Sequence, residues 1–338
     1  MSSAPRGVAF VPYDDLAGRP HIVVDGSATT GTVLTLSHWP GSPTPPTLAA
    51  DLSAEIAFRY LDQPALHVDV EAVSNNHFDL DGLVGVLALV RPESALARRS
   101  LLEEVARVGD FAVSTDERAA RIAAALGTFA EPSTSPLPAG SFTGPYALLA
   151  AALYGELLDR ALDVVDRPDS HRSLWEEDED RRRRTEAALA SGAIGVEEVP
   201  ALDLAVVTIA AGTGPLGQPR FTGGATAGWH PLPVHNATTG LRLLVVQDAG
   251  CELRLRYESW VSLRSRRPLP RVDLAPLAAR LDEAEGAARW IADPVSQIAP
   301  SLHLRGGECS TIAPSVVRAE VESHLRSAPP AWDPYAPS

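Results

Sequence analysis

The sequence predicts an α/β fold with an N-terminal strand–helix layer, a helical connection and a C-terminal α+β domain. Short apolar strands alternate with helical spacing over residues 1–130. The spacing is almost purely helical from 146 to 190, and strands return beyond 195. The predicted divisions are 1–130, 131–195, 196–330 and a flexible tail at 331–338. At 338 residues the chain is long enough for two domains, each with its own core.

His21–Val24 and Thr32–Leu36 read as short strands. A Pro-rich turn from His38 to Pro46 follows, and Leu48, Leu52, Ile56 and Tyr60 space a helix to Leu61. His67–Val73 alternates as a strand, and Leu80–Val90 reads as a buried helix after a turn at Gly82. Pro92 suits the first turn of a helix running to Val108. A turn at Gly109-Asp110-Phe111 leads to a helix near Asp116–Leu126. Pro132–Pro145 is a linker by composition, followed by helices at Ala147–Val165 and His171–Ala190. In the second of these, acids at 176–180 precede Arg181–Arg184, which marks a solvated face. Leu204–Ala210, Leu241–Gln247 and Cys251–Val261 read as strands, with a hairpin turn at Asp248-Ala249-Gly250, and Asp273–Glu285 reads as a helix.

Composition narrows the chemistry. The 43 acidic and 29 basic residues leave a net charge of −14, which repels duplex nucleic acid and anionic membranes. Every basic residue is Arg. Without Lys there is no phosphate-loop lysine, no Schiff base and no Lys general base. Cys251 and Cys309 are too few for a disulfide framework or a four-Cys zinc site. No leader or spanning segment is evident, so the expected compartment is the cytoplasm.

The most informative segment is Ser74-Asn-Asn-His77-Phe-Asp79-Leu-Asp81-Gly82, between an apolar strand and an apolar helix. That is the carboxyl edge of a sheet, where open α/β folds bind ligands. In an extended chain His77, Asp79 and Asp81 project to one face, and a divalent cation relieves their crowding. The donor set suits Mn²⁺, Fe²⁺ or Zn²⁺ better than Ca²⁺. As an alternative, Asp81 caps the following helix and the other two make turn hydrogen bonds.

This segment resembles the first motif of the DHH phosphoesterase superfamily, and Ala106-Arg-Val-Gly109-Asp110-Phe111 resembles its later metal-Asp motif. The likeness implies paired divalent metals, manganese above all, with Asp110 joining His77, Asp79 and Asp81. The Asp-His-His triplet of that superfamily is absent, so other imidazoles must serve; His38, His230 and His235 are the candidates. Residues Leu36–Gly41, Ser74–Gly82 and Arg256–Val261 together resemble an uncharacterised bacterial family.

The expected activity is a metal-dependent phosphoesterase-like hydrolysis of a small phosphorylated molecule or short oligonucleotide. His230 or His235 would complete the site or act as acid, and Gly212, Gly214, Gly217, Gly223, Gly224 and Gly228 would let that segment close over it. Arg264, Arg266, Arg267 and Arg271 would grip the anion. Two other readings stand beside it. Phe78–Gly82 also resembles the nucleophile motif of haloacid-dehalogenase-type phosphatases, with Asp79 as nucleophile and Asp81 as acid. Alternatively, the missing triplet marks a non-catalytic relative that binds a ligand or partner.

Overall fold

A computed structural model describes residues 7–217, 228–248, 250–286, 288–307 and 309–336. They divide into two compact units, 7–180 with 263–265, and the remainder from 181 onward. The architecture is α/β. Among the described residues no helix is long and apolar enough to cross a membrane.

In the first unit the strands are β1 (Ala9–Phe10), β2 (His21–Val24), β3 (Thr32–Leu36) and β4 (Ala72–Ser74). They form one sheet in the order β1-β4-β2-β3, every pair parallel. All four residues of β2 are buried, as expected of a central parallel strand that is covered on both faces. The helices are α1 (Ser53–Leu61), α2 (Leu80–Val90), α3 (Pro92–Leu96), α4 (Arg99–Phe111), α5 (Glu117–Thr128) and α6 (Tyr146–Asp166). Helix α2 is buried from Leu80 to Leu89, so its apolar residues run all round it rather than along a stripe. Two glycines allow its close packing. A Cβ on Gly85 would lie 2.5 Å from Val24 Cγ1, and one on Gly109 of α4 would lie 2.6 Å from Leu80 Cβ.

The second unit takes over inside α7 (Glu176–Ser191) and holds a six-stranded sheet in the order β10-β11-β8-β7-β6-β5. Its strands are β5 (Ile194–Val199), β6 (Leu204–Ile209), β7 (Arg242–Gln247), β8 (Gly250–Leu255), β10 (Trp290–Ala292) and β11 (Ser301–Leu304). Only the β6–β7 pair is parallel. Helices α9 (Ala275–Ala284) and α10 (Pro314–Ser327) share one apolar core with this sheet. A short α8 (Pro231–Asn236) contributes Val234 to another.

Several boundaries differ from the sequence reading. The strand expected over 67–73 is shortened to Ala72–Ser74; at its start the Tyr60 carbonyl binds His67 Nε2 and the Tyr60 hydroxyl accepts from the Val68 N–H. The helix expected over 92–108 is split into α3 and α4. Helix α4 continues through Gly109-Asp110-Phe111 and ends where Ala112 turns left-handed at φ 50°. The units divide at 180/181 rather than 195, since buried Leu153, Tyr154, Leu157 and Ala161 make α6 part of the first unit, not a connection. The tail is ordered at its start: β12 (Pro330–Trp332) pairs with β9 (Arg271–Val272). The hairpin forms with Gln247 opposite Gly250, while Ala249, Gly223 and Gly224 lie outside the described residues.

Candidate metal centre

Three strands of the first sheet end beside one another, and each delivers donors at its carboxyl end. Strand β2 leads into Asp25, which takes the left-handed region at φ 50° and is fully buried. Strand β3 leads through Ser37 to His38, and β4 leads into the 75–79 turn with His77 and Asp79. Helix α2 adds Asp81 from its first turn, and α4 adds Asp110 from its last. The helix dipole disfavours a carboxylate at that end of α4, yet Asp110 is only 1% exposed. His38, His77, Asp79, Asp81 and Asp110 are therefore brought together, and Asp25 joins them.

The geometry is that of two donor triads sharing one carboxylate. In each of Asp25–His38–Asp81 and Asp25–His77–Asp79, the donor atoms lie within 4.8 Å of one another. His38 Nε2 is 3.5 Å from Asp25 Oδ1, 3.8 Å from Asp81 Oδ2 and 3.7 Å from Asp110 Oδ2. His77 Nε2 is 3.4 Å from Asp25 Oδ2 and 3.0 Å from Asp79 Oδ2. Asp25 thus turns one oxygen to each imidazole.

Surrounding groups fix these donors. His38 Nδ1 donates to the Asp51 carbonyl at 2.5 Å. A carbonyl can only accept, so Nδ1 carries the proton and Nε2 is left to face the carboxylates. His77 repeats the pattern, with Nδ1 3.3 Å from Asn76 Oδ1. Ser53 Oγ donates to Asp25 Oδ1 at 2.8 Å. Helix α1 begins after Leu52, which has no capping side chain, and Asp81 serves instead: it accepts from Ser53 N at 2.7 Å and Ala54 N at 2.8 Å. Asp79 caps α2 by accepting from Gly82 N at 2.8 Å. The capping role considered for Asp81 on α2 therefore belongs to Asp79, and the 77–81 segment is a turn entering a helix, not an extended run.

Electrostatics explain what such a cluster requires. Burial pulls the His77 imidazole down, but Asp79 and Asp25 push it well above its ordinary range. Burial, with the charges of Asp25 and Asp79, drives Asp81 well above the usual carboxylate range despite the N–H groups of Ala54 and Ser53. Asp25 Oδ2 is buried and receives no hydrogen bond of good geometry. The cluster thus favours taking up positive charge, as protons or as a cation. Buried acidic and imidazole donors in this arrangement could hold a metal ion.

The other expected site residues lie in the second unit or are engaged structurally. His230 caps α8, its Nδ1 accepting from Leu232 N at 3.0 Å, and its own N–H donates to Thr185 Oγ1 at 2.8 Å. His235 is buried within α8. Arg271 is 1% exposed; it donates to Ser259 Oγ and to the carbonyls of Val295, Gln297 and Ile298, and lies 4.8 Å from the Trp332 ring centroid. Arg266 binds Asp203 and the Thr239 carbonyl, and Arg267 pairs with Asp333 over Tyr335. Arg264 uses its backbone: its N–H and that of Ser265 donate to Asp51 Oδ1 at 2.5 and 2.9 Å. The other three arginines tie loops of the second unit together.

The sequence reading missed Asp25. Its signal was an apolar strand, His21-Ile-Val-Val, that ends abruptly in Asp25-Gly26.

A family model matches residues 6–336, nearly the whole chain. The chain belongs to DUF6687, a family of unknown function. No curated protein and no solved structure matches it. The matched range covers residues of both units.

Proposed function

We propose that the chain is a divalent-metal-dependent hydrolase of phosphoesterase type, acting on a small phosphorylated substrate. One observation carries this reading: both imidazoles use Nδ1 on a neighbouring acceptor and aim Nε2 at opposite oxygens of the same buried carboxylate, Asp25. Asp25, His38, Asp81 and Asp110 would hold one ion, and Asp25, His77 and Asp79 a second. Mixed imidazole and carboxylate donors suit Mn²⁺ among the divalent ions. Bound divalent ions supply Lewis acidity toward a phosphoryl oxygen and make water a competent nucleophile near neutral pH. The resemblance of the 77–81 and 106–111 segments to the DHH phosphoesterase superfamily supports the same chemistry.

The chain's own contribution is rigidity and access. Ser53, the first N–H groups of α1 and the Asp51 carbonyl keep Asp25, Asp81 and His38 from swinging outward. The His77 side chain is 19% exposed, whereas those of Asp25, His38, Asp81 and Asp110 are fully buried. Substrate would therefore approach from the His77 side, past Trp39, whose ring centroid is 5.2 Å from that of His77. A haloacid-dehalogenase mechanism needs an Asp79 oxygen open to phosphorus. Gly82 N and His77 Nε2 engage the two oxygens, which favours the metal reading.

The test is Mn²⁺ titration of metal-free protein by calorimetry and electron paramagnetic resonance, followed by hydrolysis of a chromogenic phosphodiester. We expect up to two ions per chain, and turnover that falls at least about 100-fold in His38→Asn and Asp79→Asn. Wild-type protein that retains no Mn²⁺ and turns over no phosphoester would overturn the proposal.

A further inference from the structure

We infer that helix α6 supplies the positioning residues for the solvent-facing half of the donor cluster, with Tyr146 as an exposed tether and Tyr154 as a buried one. The inference rests on the metal reading above and concerns how its donors are held. The 75–79 turn carries His77 and Asp79 but lies outside any strand or helix, so its backbone groups need partners from elsewhere. Tyr146 supplies two of them. Its hydroxyl accepts from Phe78 N at 3.1 Å and donates to Phe78 O at 3.4 Å, so it holds the residue between the two donors by both backbone groups.

Tyr154 works one step further away. Its hydroxyl accepts from Asn75 Nδ2 at 2.9 Å, and Asn75 Oδ1 in turn accepts from His77 N at 3.0 Å. The ring is fully buried, stacked on Phe10 at 4.6 Å between centroids and edge-on to Phe78 at 5.3 Å. The start of α2 leaves room for this arrangement. A Cβ on Gly82 would lie 2.3 Å from Asn75 Nδ2 and 2.7 Å from the Tyr154 hydroxyl.

The two halves of the cluster thus have separate supports. Asp25, His38 and Asp81 are held by Ser53, Asp51 and the first turn of α1, whereas His77 and Asp79 sit on a turn splinted from α6. Because of this division, the role of Tyr146 is separable from general stability. The residue is 52% exposed, so removing the hydroxyl leaves no buried cavity.

Tyr146→Phe is the decisive variant, with Tyr154→Phe as the buried counterpart. In metal-free protein, amide exchange at 77–79 should quicken about tenfold, while exchange in α1 stays at the wild-type rate. In an Mn²⁺ titration the site that includes His77 and Asp79 should lose about tenfold in affinity and the site that includes His38 and Asp81 none, with the melting temperature of Tyr146→Phe unchanged. Unaltered exchange at 77–79 in Tyr146→Phe would overturn the inference, as would equal weakening of both ions. If wild-type protein binds no Mn²⁺, the hydrolase reading falls, and the exchange arm still decides whether Tyr146 tethers the turn.

Discussion

Asp25→Asn should stabilise the metal-free protein and destabilise the metal-loaded one. The substitution keeps the side chain's shape and retains a carbonyl oxygen to accept from Ser53 Oγ, as Asp25 Oδ1 does at 2.8 Å, so it changes little besides charge. In metal-free protein Asp25 lies in two triads whose donor atoms fall within 4.8 Å. Like charges at that spacing repel by about 3.5 kcal/mol at an effective dielectric of about 20. Proton uptake by His77 and Asp81 already relieves part of this, so the variant should gain about 1–2 kcal/mol in chelator. With free Mn²⁺ at about 100 times the dissociation constant, each ion stabilises the wild type by about 2.7 kcal/mol. An affinity loss of about 100-fold leaves the variant only about 0.4 kcal/mol per ion. For a unit of this size that difference moves the melting temperature by about 5–10 °C per ion. Differential scanning calorimetry of both proteins, in chelator and in excess Mn²⁺, reads the effect directly. If Asp25→Asn were destabilised equally in both buffers, Asp25 would be a hydrogen-bonding core residue and the shared-carboxylate argument would fail.

Three further expectations follow from the packing. Gly109→Ala should cost about 1–3 kcal/mol, because its Cβ meets Leu80 at 2.6 Å; by levering the last turn of α4 outward it should also weaken the tighter Mn²⁺ site through Asp110, measured by titration. Arg271→Met should destabilise the second unit by about 3–5 kcal/mol, since Ser259 Oγ and three carbonyls lose their donor; urea unfolding should show the loss, with Mn²⁺ affinity unchanged. Burial pushes Glu285 up, but hydrogen bonds from Ser310, Thr311 and Gly286 overcome this and hold it at about 2, against 4.5 for the free group. Its contribution is therefore complete above pH 4.5 and lost as pH falls toward 2, and Glu285→Gln should flatten the acid limb of urea midpoints measured against pH.

Local patterning was legible where burial and backbone preference agreed. The bounds of β2, β3 and α2 match those expected because their apolar runs end in polar residues, Asp25, Ser37 and Arg91. It failed where a distant side chain decided the matter. Nothing within 67–71 reveals that Tyr60 will engage the His67 ring and the Val68 N–H, and Gly109 looks like a helix breaker until Leu80 is seen against it. The place of α6 was hidden for a related reason. Pro132–Pro145 has the composition of a linker, yet the helix after it buries one face in the first unit and carries the tyrosines that hold the donor turn.

The donor cluster was half legible because a contiguous motif reveals only the donors that happen to be close in sequence. His77, Asp79 and Asp81 advertise one another. Asp25 has no donor residue within three positions on either side, yet it places one oxygen 3.5 Å from His38 Nε2 and the other 3.4 Å from His77 Nε2. A parallel sheet forces this outcome. Its strands all point the same way, so their carboxyl ends meet in space however far apart they lie in the chain. The residue that leaves each buried strand is then as informative as any motif. At 25 it is an Asp in a left-handed turn, a conformation that short polar side chains tolerate better than other non-glycine residues. His230 and His235 belong instead to α8 of the second unit, where His230 caps the helix and His235 is buried in its last turn.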